Sequence, residues 1–220
     1  MAARIAQLLS ITLVALTGCA TAPSKFYTLG STATADGTPV APCAVIVGPV
    51  SVPAAVDRPE FVVQVAPNRV DVDEFNRWDA PLSDSIARTV AGDLSVLLGT
   101  PDVAVAPLAN FRPDYRVTIN VQRFDSVPGQ TVLVDAVWAV HKTAGGETHS
   151  GRTLAREAVQ GTGYEQLAAA HSRALAAVSR DIAAAIRATA EAGSVSPQTE
   201  NPESDTGNAP KARRAKTKSQ

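Results

Sequence analysis

The chain has 220 residues, 45% of them hydrophobic but only 5% aromatic, and a formal net charge of −1 at pH 7. That length supports one domain with a sizeable core, built mainly of Val, Ala, Leu and Ile. The near-neutral charge excludes the strongly basic class that binds nucleic acid, and a cysteine count of two excludes a disulfide-rich scaffold.

The first element is a secretory signal. Arg4 precedes an apolar run from Ile5 to Leu16, softened by Gln7, Ser10 and Thr12, and small residues follow. The run is too short to span a bilayer, which takes about 20 apolar residues. Leu16-Thr17-Gly18-Cys19 resembles the lipobox of bacterial lipoproteins. The resemblance implies a diacylglycerol on the Cys19 thiol, cleavage before Cys19 and an acyl chain on the new N-terminus. Residues 1–18 are then a lipoprotein signal peptide, and no cofactor other than these covalent lipids is expected. The alternative is an ordinary signal cut near Ala20 or Ala22, which discards Cys19. Three acyl chains anchor firmly where one alone is marginal. Ala20, standing where inner-membrane lipoproteins usually carry aspartate, implies sorting to the periplasmic face of the outer membrane. Loss of Arg4 takes the formal charge from −1 to −2.

Residues 19–42 are rich in Ala, Thr, Ser, Gly and Pro and read as a lipidated N-terminus and tether. Within them "KFYTLG" (25–30) has the makings of a short docking strand. An α/β domain follows over 43–192. Cys43, in "PCAVIVGPV", reads as a small buried hydrophobe with no intramolecular partner, the other reading being an intermolecular disulfide, and residues 44–53 read as a buried strand. "FVVQV" (61–65) and "RVDVD" (69–73) flank Pro67-Asn68, which is hairpin chemistry. Val70 and Val72 alternate with Asp71 and Asp73, giving that strand one wet face.

Residues 81–98 form the first helix. Pro81 suits its first turn, and Leu82, Ile86, Val90, Leu94 and Leu97 make an apolar stripe. Gly99 and Pro101 stop it. A short strand follows at 102–107. Tyr115, Val117, Ile119 and Val121 alternate with polar residues, and Phe124 breaks the parity, so a bulge is expected near Gln122-Arg123. Val127-Pro128-Gly129-Gln130 fits a type II turn. Residues 131–141 are apolar on both faces except Asp135, which predicts a strand covered on both sides. A more polar strand returns over 147–159. The second helix, Tyr164 to Glu191, carries the stripe Leu167, His171, Leu175, Val178, Ile182 and Ile186. Placed there, His171 reads as a core histidine rather than a catalytic one. Residues 193–220 read as a disordered tail. Its end, "KARRAKTK", is a charge run that is either solvated or directed at lipid phosphates or an acidic partner.

The fold expected is therefore α/β: a single domain with a mixed β-sheet of about five to seven strands and two main helices packed on it. There is no Walker loop, no Gly-x-Ser-x-Gly and no His-Glu-x-x-His. His141, His149 and His171 are too scattered for metal-ligand spacing. Catalytic and metal residues are thus expected to be none. Asp57-Arg58 and Arg77-Trp78 are the candidate motif. They read either as a paired loop with an aromatic lid or as a partner interface, since Trp and Arg are typical hot-spot residues.

Val47-Gly48-Pro49-Val50, then Asp57-Arg58-Pro59, then Arg77-Trp78-x-x-Pro81-Leu82 leading into a helix resembles the PqiC-type ABC-transport auxiliary lipoproteins. "YRVTINVQRFD" (115–125), "LVDAVW" (133–138) and the Ala-rich last helix fit in the same order, so the resemblance covers about 19–190. It implies a non-enzymatic accessory protein of an envelope lipid transport system, partnered by an MCE-type protein that bridges the two membranes. Confinement at a membrane favours self-assembly into a homo-oligomeric ring. The alternative function is a lipid carrier with an apolar groove between helix and sheet. A periplasmic hydrolase is the remaining class, and the motif search gives it no support.

Overall fold

The computed structural model describes residues 22–194; the signal segment with Cys19, and the tail from residue 195, lie outside the described residues. The elements in chain order are β1 (Lys25–Tyr27), β2 (Val45–Ser51), β3 (Glu60–Ala66), β4 (Arg69–Trp78), α1 (Leu82–Leu98), β5 (Val103–Val105), β6 (Tyr115–Val127), β7 (Thr131–Lys142), β8 (Thr148–Ala158) and α2 (Tyr164–Ser194). The expected α/β single domain is what forms, with its strands divided between two sheets. The larger is mixed, in the order β5-β2-β6-β7-β8. Its β2 runs parallel to β5 and β6, while β6, β7 and β8 make an antiparallel meander. The smaller, β1-β4-β3, joins the β3–β4 hairpin to a parallel β1.

Local chemistry accounts for the boundaries. Gly99 takes the left-handed conformation (φ 66°) that ends α1, and its N–H donates to the Ser95 carbonyl. The β6 register shifts between Val121 and Arg123, the bulge that Phe124 demanded. Both helices lie on the same face of the larger sheet, α1 over β2 and β5, α2 over β7 and β8, and they pack against each other. All five stripe residues of α1 and all six of α2 are buried. Each such Leu, Ile or Val is worth roughly 1.5–3 kcal/mol against leaving it exposed. The burial on α2 extends to Ala168, Ala170, Ala174 and Ala183, whose small side chains let the helix approach its neighbours closely.

Three expectations are corrected. β7 is covered fully on one face only. On the other, Leu133 and Asp135 are buried, but Val137 is 40% exposed and its neighbour Leu154 on β8 is 62% exposed, because both helices occupy the opposite side. In β4 the start of the strand is exposed on both faces, at Val70, Asp71 and Val72, whereas Asp73 turns inward with Phe61, its cross-strand partner. The third concerns residues 31–42, which are no loose tether; the short docking strand expected within 25–30 forms as β1. β1 pairs with β4, and the chain then runs along α1 and α2 as a strap held by specific hydrogen bonds.

Candidate functional site: strap, small sheet and aromatic seam

The strap is fixed by a buried carboxylate. Asp93 lies on α1, fully shielded from solvent. Its Oδ1 accepts from Ser31 Oγ (2.7 Å), Thr32 N (3.0 Å) and Ala33 N (3.0 Å), and its Oδ2 from Ser179 Oγ of α2 (3.0 Å). Four donors satisfy a group that would otherwise be costly to bury. Ser172 of α2 adds two contacts, its Oγ accepting from Gly30 N and its carbonyl from Thr32 Oγ1. Farther along, Ala41 N donates to the Leu98 carbonyl, and Arg187 reaches Asp36 and the Leu97 carbonyl. Gly92 makes the close approach feasible: a Cβ there would lie 3.0 Å from Ser31 Cβ. The sequence signal for this lock was Gly92-Asp93, a small residue and a carboxylate inside an apolar stripe, and it was missed.

The small sheet is tied to α2 by polar contacts beneath its inner face. Asp73 Oδ1 accepts from the backbone of Phe75 and Asn76, shaping a bulge in β4, and Oδ2 accepts from Tyr164 Oη at 2.7 Å. Tyr27 Oη donates to Asn76 Oδ1 at 2.7 Å. Burial acts to raise the Asp73 pKa, but the hydrogen bonds from Tyr164, Asn76 and Phe75 outweigh it and hold the group below its ordinary value. Burial and the same bond to Asp73 push the Tyr164 phenol up.

An aromatic seam joins the two sheets. Phe61 stacks on Trp78 (centroids 4.0 Å apart) and meets Tyr27 and Tyr164 edge-on. Phe124 stacks on His171 at 3.8 Å, with Trp78 against both. His171 Nε2 lies 2.8 Å from Ser126 Oγ. A Ser–His pair invites comparison with a nucleophile and its base, but both residues are buried, with Phe124 and Trp78 against the ring. No carboxylate orients His171 Nδ1, which has no partner among the described residues. Burial alone lowers the His171 pKa to about 3, so the ring is neutral.

The sequence motif Asp57, Arg58, Arg77 and Trp78 is only partly brought together. Arg77 Nη2 pairs with Glu60 Oε1 at 2.6 Å rather than with Asp57, because the β3–β4 register sets Glu60 opposite Arg77. Asp57 and Arg58 sit on the exposed loop before β3, with no side-chain hydrogen bond or ion pair among the described residues. Trp78 is buried and donates its backbone N–H to the Pro59 carbonyl, so it is a core anchor and not an exposed lid. Asp135, buried at 3% exposure, holds Arg152 through two bonds of 2.8 and 2.6 Å. Cys43 is half-buried and unpaired among the described residues, and burial, with Asp114 nearby, raises its thiol pKa. Among the described residues no group of three or more His, Cys, Asp or Glu is placed to hold a metal, and no helix is long and apolar enough to cross a membrane.

Solved structures share this fold. Protein XCC0632 from Xanthomonas campestris superposes with a TM-score of 0.64 at 20% identity, covering 78% of this chain and all of its own. A second, an uncharacterized protein, gives 0.59 at 22% identity, covering 74% of this chain and 99% of its own. No curated protein matches the sequence. Residues 27–183, from Tyr27 on β1 to Ala183 on α2, match the model of the ABC-type transport auxiliary lipoprotein component, and the chain belongs to that family, the PqiC-type auxiliary lipoproteins.

Proposed function

We propose that the protein is an outer-membrane lipoprotein, anchored through acyl chains on Cys19, that docks an MCE-type lipid transporter at the periplasmic face of that membrane. The observation that carries the reading is the family match over 27–183, which makes the chain an auxiliary component of an ABC-type transport system. Cys19 precedes Ala22, the first described residue, by three positions, so lipid attached there tethers the domain directly. The role is non-catalytic: Ser126–His171, the one nucleophile–base pairing singled out above, is sealed in the core. The space between helices and sheet is filled by Leu94, Val117, Val134, Leu175 and Ile182, all buried, which disfavours a carrier with its lipid groove at that layer. A homo-oligomeric ring remains the assembly we expect for a domain confined to a membrane plane.

The test is photocrosslinking of the full-length protein in intact cells, with the probe at Val137 or Leu154 on the open face of the larger sheet rather than at the buried Trp78. Capture of an MCE-type protein is the expected result. Capture of lipid alone, with lipid transport intact in cells lacking the gene, would overturn the reading.

A further inference from the structure

The outer face of the small sheet is built the wrong way round for a free surface. Phe26 is 63% exposed, Val70 59%, Val72 41% and Phe75 41%. Meanwhile one aspartate of the same strand, Asp73, is spent internally on Tyr164, and Asp71 lies opposite Val63, on the other face from Val70 and Val72. The strand register explains why these residues cluster. Phe26 and Glu60 both lie opposite Arg77, and Val62 lies opposite Val72, so they share one face of the pleat. Contiguous apolar side chains on a sheet face mark an interaction surface.

The chain itself indicates what lies against this face. Ala22 and Ser24, at the start of the described residues, line a shallow hollow on it together with Arg58, Val72, Phe75 and Arg77. Cys19 is three residues before Ala22, a distance that a fully extended chain spans in at most about 11 Å. The strap removes any slack farther on, because β1 and the Asp93 contacts hold residues 25–33 against the domain. A headgroup layer is itself roughly 5–8 Å deep. Acyl chains on Cys19 would therefore hold this face within reach of the bilayer.

We infer that the outer face of the β1-β4-β3 sheet is a bilayer-contacting surface, with Phe26, Val70, Val72 and Phe75 resting in the headgroup layer of the membrane that holds Cys19. The inference rests on the proposed lipidation of Cys19. Charge at the hollow is balanced: Arg58 and Arg77 stand beside Glu60 and Glu74, with Arg77 already paired to Glu60. The contact is therefore apolar rather than electrostatic, and it suits a zwitterionic surface with little dependence on salt.

The experiment uses the full-length lipidated protein in vesicles of zwitterionic phosphatidylcholine, some carrying bromine on the acyl chains near the glycerol. Phe75→Trp reports from the proposed surface and Leu154→Trp from the open face of the larger sheet; the signal of the native Trp78 and Trp138 is subtracted from each. Bromine is expected to quench Phe75→Trp and leave Leu154→Trp unchanged, at low and high salt alike. Circular dichroism of both variants confirms folding, and Phe26→Trp serves as the second reporter if Phe75→Trp misfolds. Mass analysis of the Cys19 peptide separates two failures. Lipidated, vesicle-bound protein with unquenched reporters on the small sheet overturns the surface and leaves the anchor standing. An unmodified Cys19 overturns the anchor, and the surface falls with it. Photocrosslinking from Phe26 into a second copy of the chain, with no lipid captured, also overturns the surface.

Discussion

His171 shows how one buried side chain sets a pH response. Its pKa is lowered to about 3 by burial, against about 6.5 in an unfolded chain. Between those values the unfolded chain binds a proton that the native protein does not, so stability is complete above about pH 6.5 and falls as the pH drops toward 3. The expected loss from pH 7 to pH 5 is about 2 kcal/mol, measured as a shift in the urea midpoint. His171→Leu should flatten that slope, even if Ser126 left without its partner makes the variant less stable throughout. Asp93→Ala should destabilise by about 3 kcal/mol or more, since it orphans donors from the strap and from α2 at once. Asp93→Asn, which keeps one acceptor oxygen, should fall between the two in thermal unfolding. Gly151 is a further single-residue test. A Cβ there would overlap the ring of Trp138, whose Nε1 donates to Thr153 Oγ1, itself donating to Asp181 of α2. Gly151→Ala should cost about 1–3 kcal/mol by displacing that ring.

At the scale of elements, the strap is the part to challenge. Its hydrogen bonds reach both helices, so shortening it acts on the core as well as on the N-terminus. Replacing Ser31-Thr32-Ala33 with glycines should speed backbone amide exchange in the middle of α1, where Thr89 and Asp93 are now shielded; unchanged protection there would mean the strap adds nothing to α1. The elements themselves were largely legible. The stripes of α1 and α2, the β3–β4 hairpin, the β6 bulge and the 127–130 turn all follow from local periodicity and turn chemistry. What failed was facing. Alternation in β4 shows that two faces differ, yet not which is inward, and Tyr164, 91 residues after Asp73, decides it. The same holds for residues 31–42, whose small, mostly polar composition suits a linker and equally a segment fitted tightly over Gly92.

For the whole molecule, the decisive prediction is Cys19→Ala. The variant should fold as the native chain does and leave the membrane fraction; a variant that still sediments with outer membranes would remove the anchor from the account. The family was legible because Val47–Val50, Asp57–Pro59 and Arg77–Leu82 are ordered landmarks. The roles within that motif were not, because Trp78 and Arg77 are adjacent in sequence but point to opposite sides of one sheet, the first into the aromatic seam and the second to Glu60.

The strap has one more consequence, and it concerns time. Its partner Ser172 belongs to the last helix, 142 residues beyond Gly30. Until that helix has formed, the strap lacks its Ser172 contacts and rests on β4 and α1 alone, and non-local pairings of this kind close late. The same stretch is therefore looser while the chain is still folding, and a short stay once folding ends. Closing the last helix against Gly30 and Thr32 is the step that completes the hold on the N-terminal segment.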